Sequence, residues 1–217
     1  MDHEMSDDVA RRFADGWKDQ DKAVPRIKRI YLVTWTPNMR ANFENYKAKI
    51  ENEGGFSGRK GKSGQIMSSG NEKMLFRGAR RACNFGEENA MPCTQSECRL
   101  CETLRDGFWK RLWEKRAGRS GIGNRLGAAI YATKCSSKAI KYARDVGEQN
   151  SGVRILMCCR VIVGRPYDTD TKHLDFKQPP EGYHSVYGKP GTRAFPDGEY
   201  AVYSHNAIQV AYILVLD

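Results

Sequence analysis

Two apolar runs in the second half of the chain constrain its fold more than any other feature. They are VRILMCCRVIVG (residues 153–164) and AIQVAYILVL (residues 207–216), and both are apolar on each alternating face. Strands of this kind are covered on both sides, so we expect two central strands buried between layers. The segment between them contains five prolines and several glycines. It predicts a long loop, and loops of that length in a compact domain usually carry function.

The first half of the chain adds helices to these strands. The first 25 residues mix charged and apolar side chains and predict an N-terminal arm or a short helix. Residues 29–35 predict a strand, and a helix should begin after Thr36 as N-cap with Pro37 at its first position and end at Gly54 and Gly55. Further helical stretches are expected around residues 97–113. The sum is an α+β fold with mainly antiparallel strands.

The charge and the cysteine content limit the classes of function that the protein can have. The net charge is +10, and residues 31–145 carry the surplus, with 22 basic and 11 acidic side chains. A basic segment attracts phosphate groups, although a solvated face explains it equally well. The sequence shows neither an apolar run of membrane-spanning length nor a signal peptide, so we expect an intracellular protein with no membrane partner. Seven cysteines are an odd number, which favours reduced thiols or metal ligands over disulfides.

Four of the cysteines lie close together in the sequence. Cys83, Cys93, Cys98 and Cys101 form the pattern C-x9-C-x4-C-x2-C within a cysteine-rich segment at residues 83–125. Four thiolates suit tetrahedral zinc, and the C-x2-C pair is a common zinc knuckle. The pattern predicts a closed, structural zinc site. The alternative is four separate buried thiols, which the polar neighbours of these cysteines disfavour.

Four segments in order along the chain carry a family resemblance. They are NEKMLFRGA (71–79), GAAIYATKCSSKAIKY (127–142), PPEGYHSVYGKPG (179–191) and EYAVYSHNAIQVAYIL (199–214). Together they resemble the catalytic domain of the poly(ADP-ribose) polymerase (PARP) family of ADP-ribosyltransferases, and most of all its small cysteine-containing members. The resemblance implies that residues 26–217 form a PARP-like domain with split antiparallel β-sheets and flanking helices, without a helical regulatory subdomain. It also implies NAD as co-substrate.

The same resemblance implies roles for single residues. Glu199 matches the catalytic glutamate, a carboxylate that stabilises the positive charge developing on the ribose when nicotinamide leaves. Tyr131 and Tyr142 match the two tyrosines that sandwich the nicotinamide ring. Gly78 matches the glycine whose backbone binds the carboxamide of nicotinamide, where a side chain would obstruct the approach.

Two residues depart from the family pattern. Arg77 stands where the family has a histidine, and its planar fork of donors suits a pyrophosphate, so we expect it to point inward and bind the dinucleotide. Ala139 replaces a serine that assists in binding the carboxamide. The segment SSKAIKY should begin a short helix, with Ser136 or Ser137 as its cap and Lys138 near the site, so that Ser137 and Lys138 join the cofactor-binding set.

Three functions follow from these observations. The first is a mono-ADP-ribosyltransferase that uses NAD and transfers ADP-ribose to a protein or nucleic-acid acceptor. The second is a pseudoenzyme that binds NAD weakly, which the departures at Arg77 and Ala139 suggest. The third is a zinc-stabilised module that binds nucleic acid or protein, which the aromatic and basic stretch FWKRLWEKRAGR (108–119) suggests; an amphipathic helix with a solvated basic face is the commoner explanation of such a stretch.

Overall fold

The computed structural model describes residues 3–62, 64–108, 124–146 and 151–217. Within these residues, helices and strands alternate irregularly, and most strands pair with strands that are distant in the sequence. The elements in chain order are α1 (His3–Asp15), β1 (Ile27–Leu32), α2 (Pro37–Gly54), β2 (Glu72–Gly78), β3 (Arg80–Arg81), α3 (Arg99–Asp106), β4 (Ile130–Ala132), α4 (Ser136–Ile140), β5 (Arg144–Asp145), β6 (Arg154–Ile162), β7 (Pro166–Thr169), β8 (Ser185–Gly188), β9 (Glu199–Val202) and β10 (Ile208–Leu216).

The first sheet contains the two strands that the apolar runs predict. Its order is β1-β10-β6-β2, and every neighbouring pair is antiparallel. The predicted strands, β6 and β10, occupy its centre, and every residue of β10 is buried. Covering both faces of these strands removes their apolar side chains from water, which explains why the runs do not alternate with polar residues.

The second sheet has the order β4-β9-β8-β7. Its β7–β8 pair is parallel and the others are antiparallel, and Ile130 and Val202 pack with Met157 and Ile213 of the first sheet in one core. The α+β fold with split, mainly antiparallel sheets is thus confirmed. The prediction of a long loop after residue 164 was wrong at Pro166–Thr169 and Ser185–Gly188, which form β7 and β8. Both strands have only four residues, and β7 starts on Pro166, at a position where a strand tolerates proline.

The helix α2 follows the sequence prediction closely. The Thr36 side chain accepts a hydrogen bond from the Met39 backbone, and Gly55 ends the helix in the left-handed conformation at φ +56°. Phe43 and Ile50 are the buried residues of its apolar stripe. The preceding strand begins at Ile27 and ends at Leu32, so the predicted strand at 29–35 lies three residues too far along at its end.

Helix α1 packs on the face of the first sheet that points away from the second sheet. Val9 and Phe13 are 1% exposed and join a core with Leu156 and Cys158. An amphipathic helix is thus present within the first 25 residues, while the domain boundary at residue 25 stays a prediction. Among the described residues, no bundle of helices accompanies the sheets, and none of their helices has the length and apolarity needed to cross a membrane.

Helix α3 is the described part of the helical stretch expected around residues 97–113. It runs from Arg99 to Asp106, and Gly107 follows as its C-cap. Most of the stretch FWKRLWEKRAGR lies outside the described residues; Phe108 is its one described member and is buried.

Candidate active site and metal centre

A buried ion pair connects the helix α4 to the strand β9 at the candidate site. Glu199 begins β9 and is 8% exposed, and its Oε2 atom lies 2.7 Å from Nζ of Lys138 on α4. The Lys138 ammonium also donates a hydrogen bond of 3.2 Å to the carbonyl of Gly198. Removing two charges from water is costly and seldom adds stability, so a buried pair at the start of β9 is a candidate for function.

The helix that carries Lys138 begins differently from the sequence prediction. Its N-cap is Cys135, which makes no capping hydrogen bond through its side chain, so the prediction of Ser136 or Ser137 as cap was wrong. Both serines lie inside the helix, and both hydroxyls bind the N-terminal segment instead. The Ser136 hydroxyl donates to the carbonyl of Phe13 (2.7 Å), and the Ser137 hydroxyl accepts from the backbone of Lys18 (3.0 Å). The cofactor-binding role of Ser137 stays a prediction.

Arg77 points into the molecule. It lies on the same face of β2 as Leu75, which belongs to the core between the sheets. Its Nη1 atom donates a hydrogen bond of 2.5 Å to the carbonyl of Tyr131, and its guanidinium carbon lies 5.7 Å from the centre of the Phe108 ring. The arginine therefore lies beside β4 and beside the segment that follows α3. Its contact with a dinucleotide stays a prediction.

The charges of Glu199 and Arg77 affect the pKa values of both tyrosines, Tyr131 and Tyr142. Burial raises the pKa of Tyr131, whose hydroxyl donates to the carbonyl of Gly127 at 2.6 Å; Glu199 raises that pKa further and Arg77 lowers it. Burial also raises the pKa of Tyr142, and again Glu199 raises it and Arg77 lowers it. Both phenols therefore lie within electrostatic range of the glutamate and the arginine. Tyr142 keeps 45% of its surface exposed, which leaves ring area accessible to a ligand.

Gly78 lies where β2 meets the end of α4. A Cβ atom at this position would lie 2.5 Å from the amide nitrogen of Ala143 and 2.6 Å from the carbonyl carbon of Tyr142, and closer still to the carbonyl oxygen of Ala139. All three are backbone atoms, which cannot rotate away. The strand and the helix that bear candidate site residues can approach this closely only with glycine here.

We expect Gly78→Ala to destabilise the protein. Forcing a methyl group between two backbone segments costs about 1–3 kcal/mol, which corresponds to a decrease in Tm of roughly 2–12 °C for a chain of this size. Thermal unfolding measures the effect. The matched control is Gly152→Ala, because a Cβ at Gly152 meets no atom within 4 Å. Equal Tm values for the two variants would show that α4 moves freely away from β2.

The four clustered cysteines come together in space as the sequence predicts. Their sulfur atoms all lie within 4.8 Å of one another, and the Sγ of Cys83 lies 3.7 Å from that of Cys98 and 3.6 Å from that of Cys101. A tetrahedral zinc ion with Zn–S bonds of about 2.3 Å holds its sulfur ligands roughly 3.8 Å apart. A disulfide would require about 2.05 Å. The separations therefore fit shared metal ligands, and all four cysteines are free thiols.

The surroundings of the cluster favour the thiolate of one cysteine, Cys98. Hydrogen bonding from the Cys101 thiol lowers the pKa of Cys98, the same contact together with burial raises the pKa of Cys101, and burial raises the pKa of Cys83. The Cys93 backbone N–H donates to the Cys101 sulfur at 3.3 Å. Backbone donors of this kind orient and stabilise thiolate ligands. The other three cysteines, Cys135, Cys158 and Cys159, are buried.

A separate cavity of about 990 Å³ lies away from Glu199. It opens between α1 and the first sheet and is lined by residues that include Met5, Trp35, Met74, Arg160 and Tyr212. Two of its charged side chains bind each other, since Nε of Arg160 lies 2.5 Å from a carboxylate oxygen of Glu72. The candidate active site is therefore defined by its converging side chains and not by this cavity.

Split sheets, a buried glutamate at the start of β9 and two tyrosines within its electrostatic range are features of the class of protein that the sequence resemblance implies, the PARP-like ADP-ribosyltransferases. Comparison with known proteins supports this class. A family model described as poly(ADP-ribose) polymerase catalytic domain matches residues 110–194. The human protein mono-ADP-ribosyltransferase PARP4 is 36% identical over 109 residues, and its mouse counterpart is 36% identical over 100 residues. The resemblance noted in the sequence is confirmed.

These matches cover parts of the proteins. The alignments include 48% and 44% of this chain but only 6% of the human and 5% of the mouse relative. The match to the family model contains Tyr131, Lys138 and Tyr142, whereas Arg77 and Glu199 lie outside it. The case for the last two residues therefore rests on their positions in the structure.

Proposed function

We propose that this protein is an NAD-dependent mono-ADP-ribosyltransferase. The observation that carries the proposal is the buried Lys138–Glu199 pair at 2.7 Å, with both tyrosines in electrostatic range of the glutamate and of Arg77. The relatives whose printed names describe mono-ADP-ribosyltransferases support it. The acceptor is a protein or nucleic-acid nucleophile.

The chemistry requires a carboxylate next to the ribose. The bond between ribose C1 and the nicotinamide nitrogen breaks, its electron pair leaves with nicotinamide, and positive charge develops on the sugar. The Glu199 carboxylate would accept a hydrogen bond from the ribose 2′-hydroxyl and stabilise that charge. An acceptor oxygen or nitrogen then bonds to C1 and loses its proton. Lys138 would orient the Glu199 carboxylate for this step.

The other site residues would bind the co-substrate. Tyr131 and Tyr142 supply rigid aromatic faces for the nicotinamide ring. The backbone of Gly78 would bind the carboxamide, and the guanidinium of Arg77 would bind the pyrophosphate through its planar fork of donors. The hydrogen bond from Arg77 to the Tyr131 carbonyl engages one guanidinium nitrogen in holding the side chain beside β4.

The test is to incubate the protein with NAD labelled in its adenylate part, together with protein or RNA acceptors. Nicotinamide release together with transfer of label to an acceptor supports the proposal. Calorimetry with a non-hydrolysable NAD analogue separates the alternatives. Binding without nicotinamide release would identify the pseudoenzyme, and an absence of both would exclude NAD chemistry.

We expect Tyr142→Ala to weaken binding of that NAD analogue about fivefold. A stacked aromatic contact contributes roughly 0.5–1.5 kcal/mol beyond burial, and 1 kcal/mol corresponds to that ratio. Titration calorimetry measures the dissociation constant. The control is Tyr31→Ala, since Tyr31 is similarly exposed at 36% but lies on β1. Equal affinities for wild type and Tyr142→Ala would remove Tyr142 from the proposed site.

We also propose that Cys83, Cys93, Cys98 and Cys101 bind one structural zinc ion. The sulfur separations and the backbone donor to Cys101 support this proposal. Four protein ligands would close the coordination shell, so the ion would stabilise the fold and take no part in the transfer. Seven reduced cysteines also fit an intracellular compartment, where we propose that the protein acts.

A further inference from the structure

We infer that the N-terminal segment Phe13–Lys18 is a positioning element of the candidate active site. It would hold α4 so that Lys138 stays paired with Glu199. The inference rests on the proposed function, because it assigns a catalytic consequence to that pair. The sequence favours no such role, since the segment lies more than 100 positions before α4 and resembles no motif.

Three hydrogen bonds connect this segment to the first turn of α4. The Ser136 backbone N–H donates to the carbonyl of Gly16 (2.9 Å), and the Ser136 hydroxyl donates to the carbonyl of Phe13 (2.7 Å). The Lys18 backbone N–H donates to the hydroxyl of Ser137 (3.0 Å). The first backbone N–H groups of a helix have no partner within the helix, and Cys135 supplies no side-chain cap. The carbonyl of Gly16 therefore caps the first backbone N–H of α4, and the other two bonds attach its serine hydroxyls to the same segment.

The contact is close enough to require glycine. A Cβ atom at Gly16 would lie 3.1 Å from the amide nitrogen of Ser136 and closer than 3.0 Å to the carbonyl oxygen of Lys134. Both neighbours are backbone atoms: Ser136 begins α4, and Lys134 lies two residues before it. Any side chain at Gly16 would therefore displace α4, the N-terminal segment or both.

Aromatic packing fixes the same segment on the sheet. The Phe13 ring meets the Phe76 ring edge-on, with centroids 6.1 Å apart and planes at 84°, and Trp17 lies 5.9 Å from Phe13. Phe76 directly precedes Arg77 on β2. The N-terminal segment thus contacts both the helix that carries Lys138 and the strand that carries Arg77.

The length of α4 explains why its position depends on such contacts. It has five residues, and a helix this short is not stable by itself. The Lys138 ammonium must nevertheless stay 2.7 Å from the Glu199 carboxylate in a buried environment. A misplacement of about 1 Å in a catalytic group reduces rates by roughly 10²-fold, so a small displacement of α4 should be visible in kinetics.

The test compares Gly16→Ala with Gly152→Ala in the full chain. We expect Gly16→Ala to lower kcat for nicotinamide release at least about tenfold, while the KM for NAD changes less than about threefold. Gly152→Ala should leave both constants unchanged, because a Cβ at Gly152 meets open space. If Gly16→Ala does not fold, Ser136→Ala takes its place, since that variant removes one hydrogen bond without adding an atom.

A double-mutant cycle with Lys138→Met separates positioning from a general loss of stability. If Gly16 acts through Lys138, Gly16→Ala should have little further effect on kcat once Lys138 is replaced. Fully additive effects, or an unchanged kcat in both Gly16→Ala and Ser136→Ala, would overturn this inference while leaving the proposed function intact. An inactive wild-type protein would overturn the proposed function and this inference with it.

Discussion

Replacing Glu199 with glutamine should slow nicotinamide release by at least about 10²-fold. The amide keeps the size of the side chain but removes the negative charge that would stabilise the developing positive charge on the ribose, and the loss of one such electrostatic contact costs roughly 10²–10³ in rate. Affinity for a non-hydrolysable NAD analogue should change much less, because the charge develops only in the transition state. Single-turnover kinetics with labelled NAD and calorimetry with the analogue measure the two effects.

The controls must separate lost chemistry from lost stability. Glu199→Gln leaves the buried Lys138 ammonium without its carboxylate partner, and breaking a buried pair in this way is destabilising. The double variant Glu199→Gln/Lys138→Met removes both charges and should recover thermal stability without recovering activity. Glu181→Gln, at an exposed glutamate, should retain the wild-type rate. A wild-type rate in Glu199→Gln would exclude the proposed role.

Local sequence patterns predicted the helices and strands that are determined by residues close together in the sequence. The two apolar runs gave the central strands β6 and β10, and the Thr36–Pro37 pair with the terminal glycines gave α2. Each of these elements is shorter than about 20 residues, and the residues that determine it lie within it or next to it. The short strands β7 and β8 escaped prediction because four residues that include proline or glycine show no clear alternation.

The candidate site was predictable as a set of residues but not as a geometry. Motif resemblance indicated Glu199 and the two tyrosines, whereas the position of Phe108 beside Arg77 left no signal in the sequence. The cap of α4 shows the physical reason. The sequence predicted a serine cap that binds the helix itself, but Ser136 is the first residue of α4 and its hydroxyl binds the carbonyl of Phe13, 123 residues away. Tertiary contacts of this kind override local preference.

Removal of the proposed zinc ion should lower the thermal stability of the whole domain. Structural zinc contributes its binding free energy to folding, so we expect chelation, or Cys101→Ser, to lower Tm by about 10 °C or more. Helix α3 should unfold first, because Cys98 and Cys101 lie at its start and the cluster joins it to the chain beyond β3. Metal analysis should give one zinc per wild-type chain and none in Cys101→Ser.

Cys158→Ala is the matched control for this prediction, because Cys158 is fully buried but lies on β6, away from the cluster. It should retain the metal and lose only about 1 kcal/mol of stability, the usual cost of a small cavity. Since Phe108 follows α3 and lies 5.7 Å from the Arg77 guanidinium, loss of the metal should also raise the KM for NAD. A metal-free wild-type protein with an unchanged Tm after chelation would establish the cluster as four thiols without a metal and would leave the proposed role of Glu199 unaffected.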